Sequence, residues 1–374
     1  MRVLRFRYWA WVLLLSFRYT AGAQSSKGEY NFRPLDNKIK EWLTKGYYPG
    51  AAVIVVKDNK VLFKKYYGSF NAESTAHIAS AGKWLAAAAI ATVVDEGKLS
   101  WDDRVDKWLP QFKDVKGKAT LRQLLSHTSG YPDYQPIGNH RDDYQTLAES
   151  VDHIVNLPAD TTPGSVFHYG GLAMQVAGRM AEITTGKDWE TLFQERIARP
   201  LHMRNTHFTP VDTTGGHNPM LGGGAVAILD DYANFLSMIS NNGVFHNKRV
   251  LSAKAVKELQ ANQVGNAKVN KGEYVEKARA SIRKDVYGLG EWREEVDTQG
   301  KANLISSPSW AGAYPWVDYK NHIYGFFLAR VNVEKANRDG FSAFFASPVL
   351  PILVRDILRK EPKDHTLHYS PAPQ

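Results

Sequence analysis

Apolar residues near the start of the chain form two short runs separated by a polar turn. Residues 51–56 are an uninterrupted apolar run rich in valine and isoleucine, and residues 61–63 form a second run after the charged turn 57–60. Two such runs around a short polar turn predict a β-hairpin. Further strand-like runs occur toward the other end of the chain, at residues 287–289, 314–317 and 323–331.

The pattern between these strand-forming regions is mainly helical. The stretch from Ser80 to Gly97 carries alanine on nearly every face, which predicts a helix that is buried on most sides. Further helices are predicted at residues 121–126, 171–185 and 348–358. Strands near both ends and helices between them predict one discontinuous α/β domain with a helical insertion.

The first 23 residues resemble a segment that directs export. Three arginines precede a short apolar run at residues 8–17, and residues 21–23 supply the small side chains that a signal peptidase recognises. The apolar run is too short to span a bilayer comfortably. We therefore expect a cleaved signal peptide over residues 1–23 and a periplasmic or secreted protein with no membrane insertion after cleavage. An uncleaved anchor is the alternative.

The rest of the chain divides according to the same pattern. One domain is expected over residues 24–362. Its α/β part comprises about 24–108 and 237–362, and its mainly helical part about 109–236. Residues 363–374 are expected to form a loose tail, because the end of the chain is rich in proline.

Composition and charge exclude several classes of site. The 374 residues include no cysteine, which excludes disulfides, thiolate zinc sites and a cysteine nucleophile. The formal net charge is +9, and the arginines of the first 23 residues contribute part of it. The remaining positive charge is spread without a dominant basic cluster, so nothing indicates a nucleic-acid partner. No His-Glu-x-x-His motif occurs, and neither a metal nor a cofactor is expected.

Ser80 and Lys83 are the first candidates for chemistry. Residues three apart on a helix share a face, so the Lys83 amine can reach the Ser80 hydroxyl. A serine becomes a nucleophile only with a nearby base, and a lysine serves if burial keeps it neutral part of the time. The spacing alone is weak, because Ser281 and Lys284 repeat it in a charged stretch. Ser80 differs because it opens an apolar helix, although a lysine that extends to water is the alternative.

Tyr169 is a third candidate. It follows Pro163 and Gly164, and Gly170 and Gly171 lead from it directly into a predicted helix. A tyrosine in such a loop can place its phenol in a cleft, where a nearby lysine favours the phenolate and makes it a proton shuttle. A packed aromatic side chain is the alternative.

His127 and a glycine-rich segment invite other interpretations. His127 would fit a Ser-His-Asp triad, but the chain has no Gly-x-Ser-x-Gly turn, and we expect the ring nitrogens to support a loop instead. Residues 218–224 are glycine-rich but lack the Gly-Lys-Ser/Thr of a phosphate loop. This segment is predicted to border the cleft.

Six segments carry a family resemblance when they are taken in order. They are residues 48–56, 78–83, 96–103, 124–130, 163–169 and 316–318. Together they resemble the serine β-lactamase and penicillin-binding-protein superfamily, specifically its class C β-lactamase-like and esterase-like branch. The resemblance covers almost all of the chain after residue 23, and it implies an antiparallel sheet flanked by helices with a helical insertion domain.

The resemblance also implies a role for each candidate. Ser80 would be the acylated nucleophile, and Lys83 and Tyr169 would transfer protons, with the choice of acylation base left open. The backbone N–H groups of Ser80 and Trp310 would stabilise the oxyanion. The substrate would contact Gly171, Ser307, Ser309, Trp310 and Tyr314.

Two departures from the family pattern bear on the substrate. The family's Tyr-x-Asn becomes Tyr169-Gly170-Gly171, which removes a side-chain amide. The family's Lys/His-Thr-Gly becomes residues 307–309, Ser-Pro-Ser, which removes the cation that meets a substrate carboxylate.

These departures favour an ester substrate. β-Lactams and D-Ala-D-Ala peptides carry a carboxylate and become poorer candidates, whereas the aromatic side chains near residue 310 suit an apolar acyl or alcohol group. We expect a serine hydrolase that forms an acyl-enzyme on Ser80 and acts on small or apolar esters. The alternatives are a β-lactamase, a D-Ala-D-Ala carboxypeptidase-type amide hydrolase, and an inactive binding protein.

Overall fold

The predicted hairpin forms strands β1 (Gly50–Lys57) and β2 (Lys60–Gly68) in the computed structural model of the chain. Asp58 and Asn59 make the turn with φ angles of +49° and +60°, which short polar side chains tolerate better than most. All of β1 except Lys57 is buried. This burial on both faces explains why its sequence is a continuous apolar run rather than an alternating one.

The structure describes residues 30–132, 144–210, 216–269 and 283–360. The predicted signal peptide, the predicted C-terminal tail and Ser281 lie outside these residues. Short strands follow the hairpin: β3 (Ala76–His77), β4 (Val166–Phe167), β5 (His207–Phe208), β6 (Ala225–Ala227), β7 (Val244–Phe245), β8 (Lys248–Arg249) and β9 (Lys268–Val269).

The main sheet joins the two ends of the described chain. Its other strands are β10 (Trp292–Val296), β11 (Ala302–Ser306), β12 (Tyr314–Asp318) and β13 (Ile323–Ala329). The six strands are antiparallel and lie in the order β10-β11-β12-β13-β1-β2. Ala51 of β1 is paired with Ala329 of β13. The α/β fold with an antiparallel sheet is thus confirmed.

Helices cover both faces of this sheet. They are α1 (Arg33–Thr44), α2 (Gly82–Asp95), α3 (Val105–Trp108), α4 (Leu121–Leu125), α5 (Leu147–Asn156), α6 (Leu172–Thr185), α7 (Trp189–Phe193), α8 (Leu229–Ser240), α9 (Ala253–Gln260), α10 (Val333–Asp339), α11 (Ala343–Ala346) and α12 (Val349–Arg359). No described helix is by itself long and apolar enough to cross a membrane, and only α10 combined with α11 and α12, bent by 72°, meets that length and composition.

Alternate residues of β1 point into two separate hydrophobic clusters. Ala52, Ile54 and Val56 pack with α2 and the helices of the central region. The neighbouring side chains of β1 pack on the opposite face with α1 and α12. The candidate nucleophile belongs to the α2 side, so α2 and the sheet together set its position.

Residues 287–289, predicted as a strand, form no strand. Tyr287 makes only an isolated bridge to Trp292, and the chain turns at Gly290, whose φ is +79°. The N–H groups of Leu289 and Gly290 donate to the carbonyls of Leu259 in α9 and Leu125 in α4. Because these donors pair with helices and loops rather than with a strand, the apolar run becomes a tight connection beside α2.

We expect Gly290→Ala to lower the free energy of unfolding by about 2–4 kcal/mol. A Cβ atom there would lie 2.6 Å from the carbonyl oxygen of Lys83 and 2.7 Å from Cβ of Ala87, in addition to the strain of a positive φ. Gly97→Ala is the matched control at the other end of α2. Its φ is +72°, but nothing lies within 4 Å of the added Cβ.

Gly97→Ala should therefore introduce only backbone strain and lower the free energy of unfolding by about 1 kcal/mol. Urea unfolding of both variants measures the difference. Equal losses would contradict the close packing of residue 290 on α2.

Candidate active site

Ser80 and Lys83 meet at the start of α2. Ser80 lies in a 3₁₀ turn, Ala79–Ala81, that leads directly into the helix. The Lys83 Nζ atom is 3.2 Å from Ser80 Oγ. Lys83 has 0% of its surface exposed, so it does not extend to water as the alternative interpretation required. The pair has the geometry that a serine and its base need.

Tyr169 and a backbone carbonyl complete the surroundings of the lysine amine. The Nζ atom lies 4.8 Å from the centroid of the Tyr169 ring and donates to the carbonyl oxygen of Gly222 at 2.5 Å. These contacts hold a buried amine with a hydroxyl, a carbonyl dipole and an aromatic ring. The structure therefore brings all three predicted catalytic residues together.

Gly222 is a site residue that the sequence interpretation missed. It belongs to the glycine-rich segment predicted to border the cleft, and it packs against Gly171, since a Cβ on Gly222 would lie 2.9 Å from the Gly171 Cα. Gly171 stands where the family carries asparagine. Two glycines in contact let the backbone of one loop approach the helix closely enough to present an acceptor to Lys83. The paired glycine-rich segments were the only sequence signal for this contact.

His127 holds the loop that carries Tyr169. Its Nδ1 accepts the N–H of Gly170 at 3.4 Å, and its Nε2 lies 3.2 Å from the Tyr287 hydroxyl. The ring also packs on Tyr169, with centroids 4.7 Å apart. These contacts agree with the expected loop-supporting role. Burial above all, and then the charge of Lys83, lowers the pKa of His127 well below its usual value, so the ring is neutral.

The lowered pKa of His127 predicts a loss of stability in acid. Below pH about 6.5 the unfolded chain protonates this histidine while the folded chain does not, so the free energy of unfolding falls as pH falls. Above that pH the group contributes no dependence. His127→Asn keeps a hydrogen-bond acceptor and tolerates the residue's φ of +58°.

We expect that variant to reduce the slope between pH 6.5 and 5.5 by up to about 1.4 kcal/mol per pH unit, measured by urea unfolding. An unchanged slope in His127→Asn would contradict a histidine that stays neutral in the fold.

The predicted substrate-binding serines contact the backbone. Ser307 Oγ donates to the carbonyl oxygen of Ser80 at 3.1 Å and lies 3.4 Å from that of Gly290. Ser309 Oγ accepts the N–H of Ala311 at 2.9 Å. Both serines are buried. In the described contacts Ser307 ties the segment after β11 to the start of α2, and Ser309 holds a turn within that segment. Contact of either serine with substrate stays a prediction.

The structure separates the two predicted aromatic contacts. Trp310 is 55% exposed and lines a cavity with Ala79, next to Ser80. Tyr314 is fully buried in the cluster that contains α1 and α12, with its ring 5.7 Å from that of Trp316. The Tyr314 side chain is therefore not brought to the group around Lys83. The oxyanion role of the Ser80 and Trp310 N–H groups stays a prediction.

Within the described parts of the chain, no three His, Cys, Asp or Glu side chains are grouped so that they could hold a metal ion. The chemistry that the described site offers is that of a hydroxyl beside a buried amine and a phenol ring.

Comparisons with known proteins agree with this fold. The chain matches a solved structure from Bacteroides dorei DSM 17855, named provisionally as a β-lactamase, with 54% identity and a TM-score of 0.84 over 88% of this chain and 100% of that one. A family VIII carboxylesterase shares the fold, with 16% identity and a TM-score of 0.66 over 88% and 97% of the two chains. A protein of Escherichia coli (strain K12), named provisionally as a D-alanyl-D-alanine carboxypeptidase, is 27% identical over 82% of this chain and 85% of its own.

The model of one family covers most of the chain. It is the family described as Beta-lactamase, and the match extends over residues 35–344. This range includes the hairpin, the Ser80–Lys83 pair, Tyr169 and the strands that close the sheet. The chain therefore belongs to the Beta-lactamase family and is a hydrolase of the β-lactamase fold.

Proposed function

We propose that the chain is a serine hydrolase that forms an acyl-enzyme on Ser80 and acts as a carboxylesterase on small or apolar esters. The observation that carries the proposal is the 3.2 Å contact between Ser80 Oγ and the fully buried Lys83 amine. Burying a lysine is costly, and this lysine is aimed at a hydroxyl, which is the arrangement that nucleophilic catalysis requires.

The proposed acylation transfers one proton and exchanges one bond. Ser80 Oγ attacks the ester carbonyl carbon as its proton passes to a base. That base is the Lys83 amine if the amine is uncharged, or the Tyr169 phenolate if Lys83 carries the charge. The oxyanion is stabilised by backbone N–H groups at the start of α2 and after β11. When the tetrahedral intermediate collapses, the carbon–oxygen bond to the alcohol breaks and the alcohol takes up the proton.

Deacylation runs through the same groups. Water attacks the acyl carbon and gives one proton to the base. The bond from the acyl carbon to Ser80 Oγ then breaks, the base returns the proton to Ser80 Oγ, and a carboxylic acid leaves. His127 supports these steps indirectly, because its neutral ring holds the Gly170 N–H and packs on Tyr169. It is a positioning residue.

The preference for esters rests on two local features. Gly171 offers no side-chain amide to a substrate amide and packs against Gly222 instead. The hydroxyls of Ser307 and Ser309 bond to backbone atoms. An ester has no N–H to satisfy, so it loses less than an amide in such a site. The fold shared with a family VIII carboxylesterase supports the same choice.

Amide hydrolysis of the D-Ala-D-Ala carboxypeptidase type is the second candidate, and the name of the Escherichia coli relative favours it. A substrate panel separates the two. We expect kcat/KM for p-nitrophenyl butyrate to exceed the values for a chromogenic cephalosporin and for a D-Ala-D-Ala peptide by at least about 100-fold.

The opposite order would replace the esterase by the amide hydrolase. A fluorophosphonate that fails to label Ser80 in the folded protein would overturn both candidates and leave an inactive binding protein.

We also propose that the protein acts outside the cytoplasm, on the basis of the signal-like residues 1–23. Cell fractionation tests that location.

A further inference from the structure

A cavity of about 430 Å³ adjoins the catalytic pair, and the steps above do not use it. It is lined by Ala79, which precedes Ser80, and by Gly223, which follows the glycine whose carbonyl accepts from Lys83. A volume of this order is usual for a small-molecule site. Because it touches the chain neighbours of two site residues, a group attached to a bound ester can extend into it.

The wall of this cavity is largely apolar. Trp310 and Ala311 form one side, and Val226 and Val331 contribute to others. Trp310 is 55% exposed, and its ring forms part of this wall. An aliphatic or aromatic portion of a substrate would cover that ring.

One basic side chain also lines the cavity. Arg330 directly follows β13, and the N–H of its neighbour Val331 donates to the carbonyl oxygen of Ala311 at 3.3 Å, which fixes this end of the strand beside Trp310. The side-chain bond of Arg330 to the Thr75 carbonyl oxygen is long, at 3.5 Å. Across the described ranges no carboxylate forms an ion pair with Arg330.

The other titratable group of the wall is His77. Burial first, and then the charge of Arg330, lowers the pKa of His77 below its usual value, so the imidazole is neutral near pH 7. The guanidinium is thus the charged group that the cavity presents to a ligand. A guanidinium binds a carboxylate through paired charge-assisted hydrogen bonds.

We propose that this cavity binds an apolar portion of the substrate that ends in a carboxylate, with Arg330 as its partner. The inference rests on the proposed esterase activity and names the substrate class for it. It also revises the expectation that the site has no cation for a carboxylate. Residues 307–309, at the position of the family's Lys/His-Thr-Gly motif, include no cation, but Arg330 at the end of β13 supplies one.

The first test compares esters that differ only in a terminal carboxylate. On the acyl side, mono-p-nitrophenyl adipate is compared with p-nitrophenyl hexanoate. On the alcohol side, 6-acetoxyhexanoate is compared with hexyl acetate. We expect the charged ester to have about fivefold higher kcat/KM in one of these pairs, and that pair identifies the side of the ester that enters the cavity.

Variants then assign the preference to one residue. Arg330→Gln should bring the charged-to-neutral ratio close to one, and Arg330→Glu should reverse it. Arg338→Gln is the matched control, because this arginine is 62% exposed on the nearby helix α10 and does not line the cavity. Ratios near one for the wild type in both pairs would overturn the inference while the esterase stands.

A binding measurement makes the inference independent of turnover. Calorimetry on the Ser80→Ala variant should show hexanoate binding that is lost in the further variant Arg330→Gln, and 1-hexanol should bind more weakly. Gly223→Leu should also weaken hexanoate binding, since nothing lies within 4 Å of a Cβ at residue 223 and the new side chain would fill the cavity.

Hexanoate binding that ignores both substitutions would overturn the proposed location. If no ester is hydrolysed at all, the esterase proposal fails. This binding experiment then tests by itself whether the cavity binds a carboxylate at Arg330.

Discussion

Replacing Ser80 with alanine is expected to lower kcat/KM for p-nitrophenyl butyrate by at least about 1,000-fold. The substitution removes the atom that forms the acyl bond and leaves the buried amine of Lys83 without its 3.2 Å hydroxyl partner. The remaining oxyanion donors and binding contacts cannot replace covalent catalysis. Steady-state kinetics together with mass spectrometry of a fluorophosphonate adduct measures both the rate and the site of labelling.

Ser281→Ala is the matched control for this loss. The Ser-x-x-Lys spacing occurs twice in the sequence. Ser80 and Lys83 carry it in an apolar helix, and Ser281 and Lys284 carry it in a charged stretch. The control variant should hydrolyse the ester at the wild-type rate. Turnover that survives in Ser80→Ala and falls in Ser281→Ala would assign the nucleophile to the other serine.

Replacing Lys83 with methionine is expected to lower kcat for the same ester by about 1,000-fold. Methionine has a similar volume and keeps the packing against Tyr169, but it neither accepts the Ser80 proton nor donates to the Gly222 carbonyl. Lys83→Arg should be inactive as well, because a guanidinium keeps its proton at any pH the fold tolerates. This second variant distinguishes a Lys83 that accepts the proton from a Lys83 that acts only through its positive charge.

Lys116→Met is the matched control, because Lys116 is also a buried lysine, with 1% of its surface exposed. It pairs with Asp114 and donates to the Leu157 carbonyl oxygen, so its loss should lower the unfolding midpoint. Ester hydrolysis should stay within about threefold of the wild type. Substantial activity in Lys83→Arg would mean that Lys83 acts by charge alone and that Tyr169 is the base.

Local patterns predicted the parts of the fold that depend on neighbours in sequence. The hairpin follows from two apolar runs around one polar turn, and α2 follows from its alanine-rich pattern and the glycine after it. The Ser80–Lys83 contact is likewise local, since helix geometry alone brings residues three apart to one face. The interpretation was wrong at residues 287–289, where contacts with α4 and α9 determine the backbone path.

Contacts between distant segments were beyond the reach of such patterns. The carbonyl of Gly222 meets Lys83 only because two loops pack through paired glycines, and a carbonyl has no side-chain signature. Tyr314 was predicted at the site, but strand alternation turns it to the face of α1 and α12, and its facing depends on a register that the sequence leaves open. Arg330 reaches the cavity through the pairing of β13 with β1 and β12.

The central pairing of β1 with β13 has a consequence for the way the chain acquires its structure. β1 is made early during synthesis, but its partner is made only when the ribosome has translated nearly the whole described chain. Closing so long a loop has a high entropic cost, so the sheet forms late and slowly. Until then the apolar run of β1 is exposed, and the nascent polypeptide is available to chaperones.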